Sequence, residues 1–243
     1  MNEKNLKIFI HIGIIISCLA GIVLQLAGSE NFMGSALVIF RAFTVQSNLW
    51  IAVIAGVALI YELKLKKVMP AWIYTLQYIF TVSILLTYTV FAIILSPAMP
   101  NDYLWSPSNW FLHSLTPMLS LMSFLCIDHQ KIKQGKSLLF AVIPPIGYAI
   151  FFLSYYHFVG SQPVPYFFLD YKVLGWLTIS PIGIGVIYWI LLISSLVFGL
   201  GCGLVKLLNL LAKHPKKHQI MIIIAFSMLG LSLIMTLLNP LFK

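Results

Sequence analysis

The chain has 243 residues, of which 60% are hydrophobic and 9% charged, and its mean hydropathy is +0.98. A soluble domain carries about 25% charged residues, so the composition excludes an ordinary soluble enzyme and points to one membrane domain over residues 1–243. The net charge of +9 sits in short lysine clusters between apolar runs, not in a basic stripe, which argues against nucleic acid as a partner and for membrane lipids.

Seven apolar runs, each near the roughly 20 residues a bilayer needs, predict an all-α polytopic transmembrane helix bundle. They are Ile8–Gly28, Thr44–Tyr61, Trp72–Leu95, Asn109–Ile127, Ser137–Phe158, Leu177–Val205 and Gln219–Leu238. In the first run Ile15-Ile16-Ser17-Cys18 resembles a lipoprotein cleavage box. The run continues to Ala27, however, and a signal core is only about 7–15 residues long. Pro144-Pro145 is a candidate break in the fifth run, and Pro181 predicts a kink or tilted entry at the sixth. Gly199 and Gly203, four apart, predict a close helix contact. Twelve lysines fall before the first run and after the second, fourth and sixth, against Arg41, Lys172 and Lys243 on the other side. Basic residues mark the cytoplasmic face. The expectation is a multi-pass cell-membrane protein with its N-terminus cytoplasmic and its C-terminus external.

With that orientation, polar residues recur in the outer halves of the spans. The second run opens with Thr44, Gln46, Ser47 and Asn48, while Ile51–Ile60 has no polar side chain. Thr87, Tyr88 and Thr89 follow in the third run, and Asn109, His113, Ser114 and Thr116 in the fourth. The fifth ends with Ser154, Tyr155, Tyr156 and His157, and the sixth begins with Thr178 and Ser180. Polar groups in a span are costly unless paired or lining a cavity. Two readings follow: Thr44 caps its helix and its neighbours bond to other helices, or these residues line a pocket open to the outer leaflet. The pocket reading names Thr44, Asn48, Tyr88, His113 and His157 as its lining, with largely apolar inner halves. Pro117 cannot donate to the carbonyl of His113, so the helix is expected to bend beside that histidine. His113 is then either a structural hydrogen-bonder or a functional group. His129, His214 and His218 read as loop residues beside the lysines. No HExxH-like or CxxC-like spacing occurs, so no metal and no other cofactor is expected.

Three segments together resemble the androgen-induced-gene family of multi-span membrane proteins and its bacterial relatives. They are Phe43-Thr44 at the second span, Asn109-Trp110-Phe111-Leu112-His113 with Pro117 in the fourth, and His157-Phe158-Val159-Gly160 leading to Val164-Pro165-Tyr166-Phe167-Phe168-Leu169-Asp170. The match covers about residues 35–200. Tyr and Pro are reversed at Pro165-Tyr166, the gap from His113 to Pro117 is one residue shorter than in the animal pattern, and the seventh run lies beyond the usual six. The resemblance implies a six-span core over about residues 8–207 with an added C-terminal span, about residues 219–238. It also implies intramembrane hydrolysis of lipid esters, of the class of fatty-acid esters of hydroxy fatty acids, with Thr44 as nucleophile and His113 as base.

The chemistry is consistent with those residue types. A threonine hydroxyl is a weak nucleophile that requires a base, and a histidine with an ordinary pKa of about 6.5 suits that role. Gln46, Ser47 or Asn48 is near enough in sequence to stabilise an oxyanion. Tyr88, His157, Tyr166 and Asp170 complete the expected substrate site. Asp170 either orients a histidine or simply ends its loop, and the loop reading is preferred. The alternatives are a transporter or small-ligand-binding membrane protein that uses the same pocket, and an accessory protein with no pocket.

Overall fold

A computed structural model of the chain describes residues 3–28, 36–65, 69–126, 139–160, 164–212 and 214–239. The first helix, α1 (Glu3–Ala27), is followed by a 3-10 turn, Ala36–Arg41, and then α2 (Phe43–Ile60) and α3 (Ala71–Val90). Three short helices come next: α4 (Asn101–Trp105), α5 (Pro107–Trp110) and α6 (Thr116–Leu125). They lead to α7 (Ile143–Val159), α8 (Tyr171–Leu174), α9 (Val186–Ala212) and α10 (Lys217–Leu238). Wider π-turns extend α2 over Tyr61–Leu65 and α3 over Phe91–Leu95, and a third, Phe111–Leu115, joins α5 to α6.

Among the described residues, five helices are long and apolar enough to cross a membrane: Lys4–Ala27, Phe43–Leu65, Ala71–Ala98, Val186–Ala212 and Lys217–Leu238. The protein is an all-α membrane bundle. The other two expected spans take a different form. The fourth run is divided by the π-turn next to Pro117. In the fifth, the long helix starts only at Ile143 and has 17 residues. Leu139 and Phe140 are helical, residues 141–142 form a turn, and the helix restarts at Ile143. Pro144 and Pro145 fall in its first turn, where the missing N–H groups have no helical partner to lose, so the expected break lies just ahead of them. Pro181 kinks no helix. It lies at the turn of an antiparallel hairpin that pairs Ile179 with Ile184 and Ser180 with Gly183.

α3 is the centre of the bundle, with 72% of its span buried, against 22% for α9 and for α10. α6 runs antiparallel to both α1 and α3. Its Thr116, Ser120 and Ser123 repeat at three- and four-residue steps, which places them on one helical face. Thr116 bonds Ser17 at 2.7 Å and Ser120 bonds Thr81 at 3.1 Å. Ser123 bonds His11 Nε2 at 2.9 Å and accepts from Gln77 Nε2 at 2.8 Å. Each such bond contributes about 0.6 kcal/mol between membrane helices. Glu62 Oε2 lies 3.5 Å from His11 Nδ1, at ion-pair distance but without hydrogen-bond geometry. The half of the bundle expected to be largely apolar thus contains a buried polar seam.

The close helix contact is at Gly21. A Cβ there would stand 2.7 Å from Leu112 Cδ2. Gly199 and Gly203 have no heavy atom within 4 Å of a Cβ position and line an open groove with Leu196, Leu200 and Met228. Lys66, Lys67, Lys131, Lys133, Lys136, Lys213 and Lys243, which carry much of the charge asymmetry, lie outside the described residues, as does His129.

Candidate functional site

α2 begins after Ala42, whose extended backbone (φ −72°, ψ 133°) makes it the N-cap, with no side-chain cap bond. Thr44 is therefore not the cap but the second residue of the helix. Its N–H belongs to the first turn, where amides have no helical acceptor. That N–H donates to the Tyr166 hydroxyl at 3.2 Å, and Thr44 Oγ1 lies 3.4 Å from the same oxygen. Tyr166 reaches this point from the loop before a 3-10 turn, Phe167–Leu169, with its ring packed against Tyr148 and Phe168. Burial pushes the Tyr166 hydroxyl up from its ordinary pKa, with the contacts to Thr44 pulling the other way.

His113 sits in the π-turn Phe111–Leu115. The turn closes with the Thr116 N–H on the Phe111 carbonyl, five residues back. Pro117 explains the widening, because it cannot donate to the His113 carbonyl. Side chains from neighbouring helices meet the loosened carbonyls: Ser17 Oγ donates to Phe111 O at 3.5 Å and Asn48 Nδ2 to Leu112 O at 3.0 Å. Asn48 Nδ2 also donates to Thr44 O at 2.8 Å. One amide thus clamps the turn bearing Thr44 to the turn bearing His113. The His113 ring is buried and stacks on Phe91, from the facing π-turn, at 3.8 Å between centroids. His113 Nε2 is 3.5 Å from the Tyr103 hydroxyl, and Nδ1 is buried with no hydrogen-bond partner among the described residues.

Thr44, His113 and Tyr166 line one cavity, together with Gln25, Phe91 and Tyr103, of about 630 Å³ including its mouth. A second cavity of about 610 Å³, its mouth included, also borders Thr44 and is walled by Leu86, Tyr148, Phe168 and Ile190. Thr44, Leu95 and Tyr166 belong to both linings. Among the described residues the Thr44 hydroxyl bonds Tyr166, and no hydrogen bond joins it to His113.

Comparison with family models, with curated proteins and with solved structures finds no match.

The remaining sequence candidates are dispersed. Ser47 bonds Thr87 at 2.9 Å and the Thr44 carbonyl at 3.0 Å, and Gln46 Nε2 donates to Phe40 O. With Asn48 on its two carbonyls, none of the three side chains lines either cavity. The Tyr88 hydroxyl donates to the Met228 carbonyl on α10 at 2.9 Å. His157 is exposed and pairs with the Tyr171 hydroxyl. Asp170 caps α8 by accepting from the Lys172 and Val173 amides, and it also accepts from the Tyr156 hydroxyl. Its role in the structure is therefore to order its loop; it bonds neither His113 nor His157. No group of three metal-ligating side chains occurs among the described residues. Gln25 and Tyr103 were missed as lining residues. Gln25 was legible as a lone amide in an apolar run.

Proposed function

We propose that the protein is a membrane-embedded hydrolase of lipid esters, with Thr44 as nucleophile and His113 as base. The observation that carries this reading is the shared cavity: Thr44 and His113 face one space, and Thr44 also borders an apolar one. An ester bound with its carbonyl at Thr44 extends one arm into each cavity. The Thr44 oxygen attacks the carbonyl while its proton passes to His113. Collapse of the tetrahedral intermediate expels the alcohol, which takes that proton back. Water then cleaves the acyl-threonine by the same route and restores the hydroxyl. Catalytic hydrogen bonds often tighten only once substrate is bound, which accommodates the absence of a direct Thr44–His113 bond. Tyr166, kept protonated by burial, supplies the donor for the oxyanion, because the donor atoms of Gln46, Ser47 and Asn48 are engaged elsewhere.

The topology that accompanies this reading has seven spans, with α5–α6 and α7 as the shorter two, the N-terminus cytoplasmic and the C-terminus external. The resemblance to the androgen-induced-gene family supports the assignment of the two catalytic roles. The test is purified protein assayed against a panel of fatty-acyl esters and labelled with a fluorophosphonate. Thr44→Ala and His113→Ala each remove most activity, and the double variant is little worse than either, because groups that act as a unit are non-additive. A wild type that neither labels nor hydrolyses any ester overturns the reading. A transport reading is favoured by one specific observation, the buried seam from His11 and Gln77 to Thr116, since a transporter requires polar groups through both halves.

A further inference from the structure

The segment between α8 and α9 turns unusual side chains outward. Leu177, Ile179 and Ile182 are 63%, 73% and 76% exposed, and Trp176 and Val173 beside them are also exposed. A contiguous apolar surface of this kind marks a contact with another apolar phase. Its backbone, by contrast, is largely satisfied from within. The hairpin pairs Ile179 with Ile184 and Ser180 with Gly183, and in an antiparallel ladder one of two adjacent pairs exchanges hydrogen bonds. Gly185 N–H donates to Thr178 O at 2.7 Å, Val186 N–H to Gly175 O at 3.1 Å and Ile187 N–H to Trp176 O at 3.1 Å. Pro181, next to the tip, has no N–H to lose. The projection is also conformationally defined. Gly175 takes φ +70°, and a Cβ on Gly185 would stand 2.5 Å from Trp176 O, so the chain folds back on itself where only glycine fits.

We propose that the hairpin Leu177–Ile184 is inserted into the lipid interface of the bilayer. Lipid excludes backbone with unmet hydrogen bonds; much of this backbone is bonded within the segment, the headgroup level supplies water to the rest, and the side chains present leucine and isoleucine. The hairpin runs directly into α9, a membrane-spanning helix, so its apolar face continues that helix's lipid-facing surface. Trp176 stacks on Tyr171 at 4.9 Å, a pairing suited to the headgroup level, where amphipathic aromatics concentrate. Lys172, one residue further along α8, holds its ammonium 4.5 Å above the Tyr156 ring and is placed to meet lipid phosphate. The segments on both sides of the hairpin, through Phe168 and Ile190, wall the apolar cavity. The insertion therefore anchors the two ends of that wall in the leaflet from which a lipid would enter. It does not depend on the hydrolase reading.

The test is site-directed spin labelling of the full chain in lipid bilayers, with Cys18, Cys126 and Cys202 replaced by alanine. Labels go on Ile179→Cys or Ile182→Cys. Phe198→Cys, exposed on α9, is the lipid reference, and His214→Cys, in the exposed turn before α10, is the water reference. Substitution of an exposed side chain leaves folding intact, which gel filtration and circular dichroism verify. The expected result is oxygen collision exceeding nickel-chelate collision several-fold at both hairpin sites, close to the ratio at Phe198. A ratio matching His214 overturns the proposal. Low collision with both reagents means that protein covers the hairpin, and that also overturns it. Bimane at position 182 gives a second measurement: lipids brominated on their acyl chains quench it if the hairpin is inserted and leave it bright if it is not.

Discussion

Asn48→Leu isolates the clamp between the two candidate catalytic turns. The side chain is fully buried, and its Nδ2 holds the Thr44 carbonyl at 2.8 Å and the Leu112 carbonyl at 3.0 Å. Leucine is close in volume, so no large cavity opens. The two lost bonds, at about 0.6 kcal/mol each, amount to roughly 1.2 kcal/mol. Thr44 O keeps its contact with Ser47 Oγ, and the Asn48 Oδ1, buried without a partner, is removed at no loss. The net cost is about 1 kcal/mol, or about 2–4 °C in Tm for a chain of this size. The effect on hydrolysis is far larger, because a misplacement of about 1 Å between reacting groups can cost about 100-fold. Thermal unfolding in detergent gives the first quantity, and kcat on the best ester of the panel gives the second. Hydrogen exchange of the Phe111–Leu115 amides provides a readout independent of activity and should accelerate. A variant with wild-type kcat and wild-type exchange would refute the idea that Asn48 sets the spacing of Thr44 and His113.

Further outcomes follow from the same geometry. Gly21→Ala drives a methyl group into Leu112 and destabilises by about 1–3 kcal/mol, whereas Gly13→Ala, 3.3 Å from a flexible Leu119 methyl, is nearly neutral by thermal unfolding. Tyr166→Phe keeps the ring packing but removes the acceptor of the Thr44 N–H; it loses about 1–3 kcal/mol, and kcat falls by about 100-fold if the hydroxyl serves the oxyanion. Asp170→Ala removes the α8 cap and lowers stability by about 0.5–2 kcal/mol, while kcat of the folded protein stays near wild type. Tyr88→Phe loses a single bond to α10, costs about 0.6 kcal/mol, and leaves hydrolysis unchanged.

The membrane class and the starts of α2, α3 and α10 were legible because apolar runs of bilayer length are a strong one-dimensional signal. Ends governed by local backbone chemistry were less so. Pro144-Pro145 reads as a break, but its place, a turn at residues 141–142 ahead of both prolines, is set by the restart of the helix at Ile143. Pro181 in an apolar run gives no indication that Ile179 and Ile184 pair across it. The outer polar cluster was visible as a set of residues at one depth, but depth alone does not assign facing. Thr44 and His113 do share a cavity, while Tyr88 at similar depth turns toward α10 and His157 toward Tyr171. Asn48, expected to line the pocket, instead ties the Thr44 carbonyl in α2 to the Leu112 carbonyl released by a π-turn, a widening that no residue count reveals. The inner seam was missed because His11, Gln77 and Ser123 lie on three helices and become a cluster only when those helices pack.

The two stacked rings, Phe91 and His113, both ride on π-turns. Such a turn holds one more residue than the α-helix around it needs, and an α-helix advances about 100° per residue. If that surplus residue moves by one position, the side chains it passes swing by about that angle while both ends of the helix stay in place. His113 is therefore mounted on a local screw between two fixed rods. A rearrangement confined to five residues can turn the imidazole toward Thr44 or away from it, without any span sliding through the bilayer and without disturbing the lipid-facing surface.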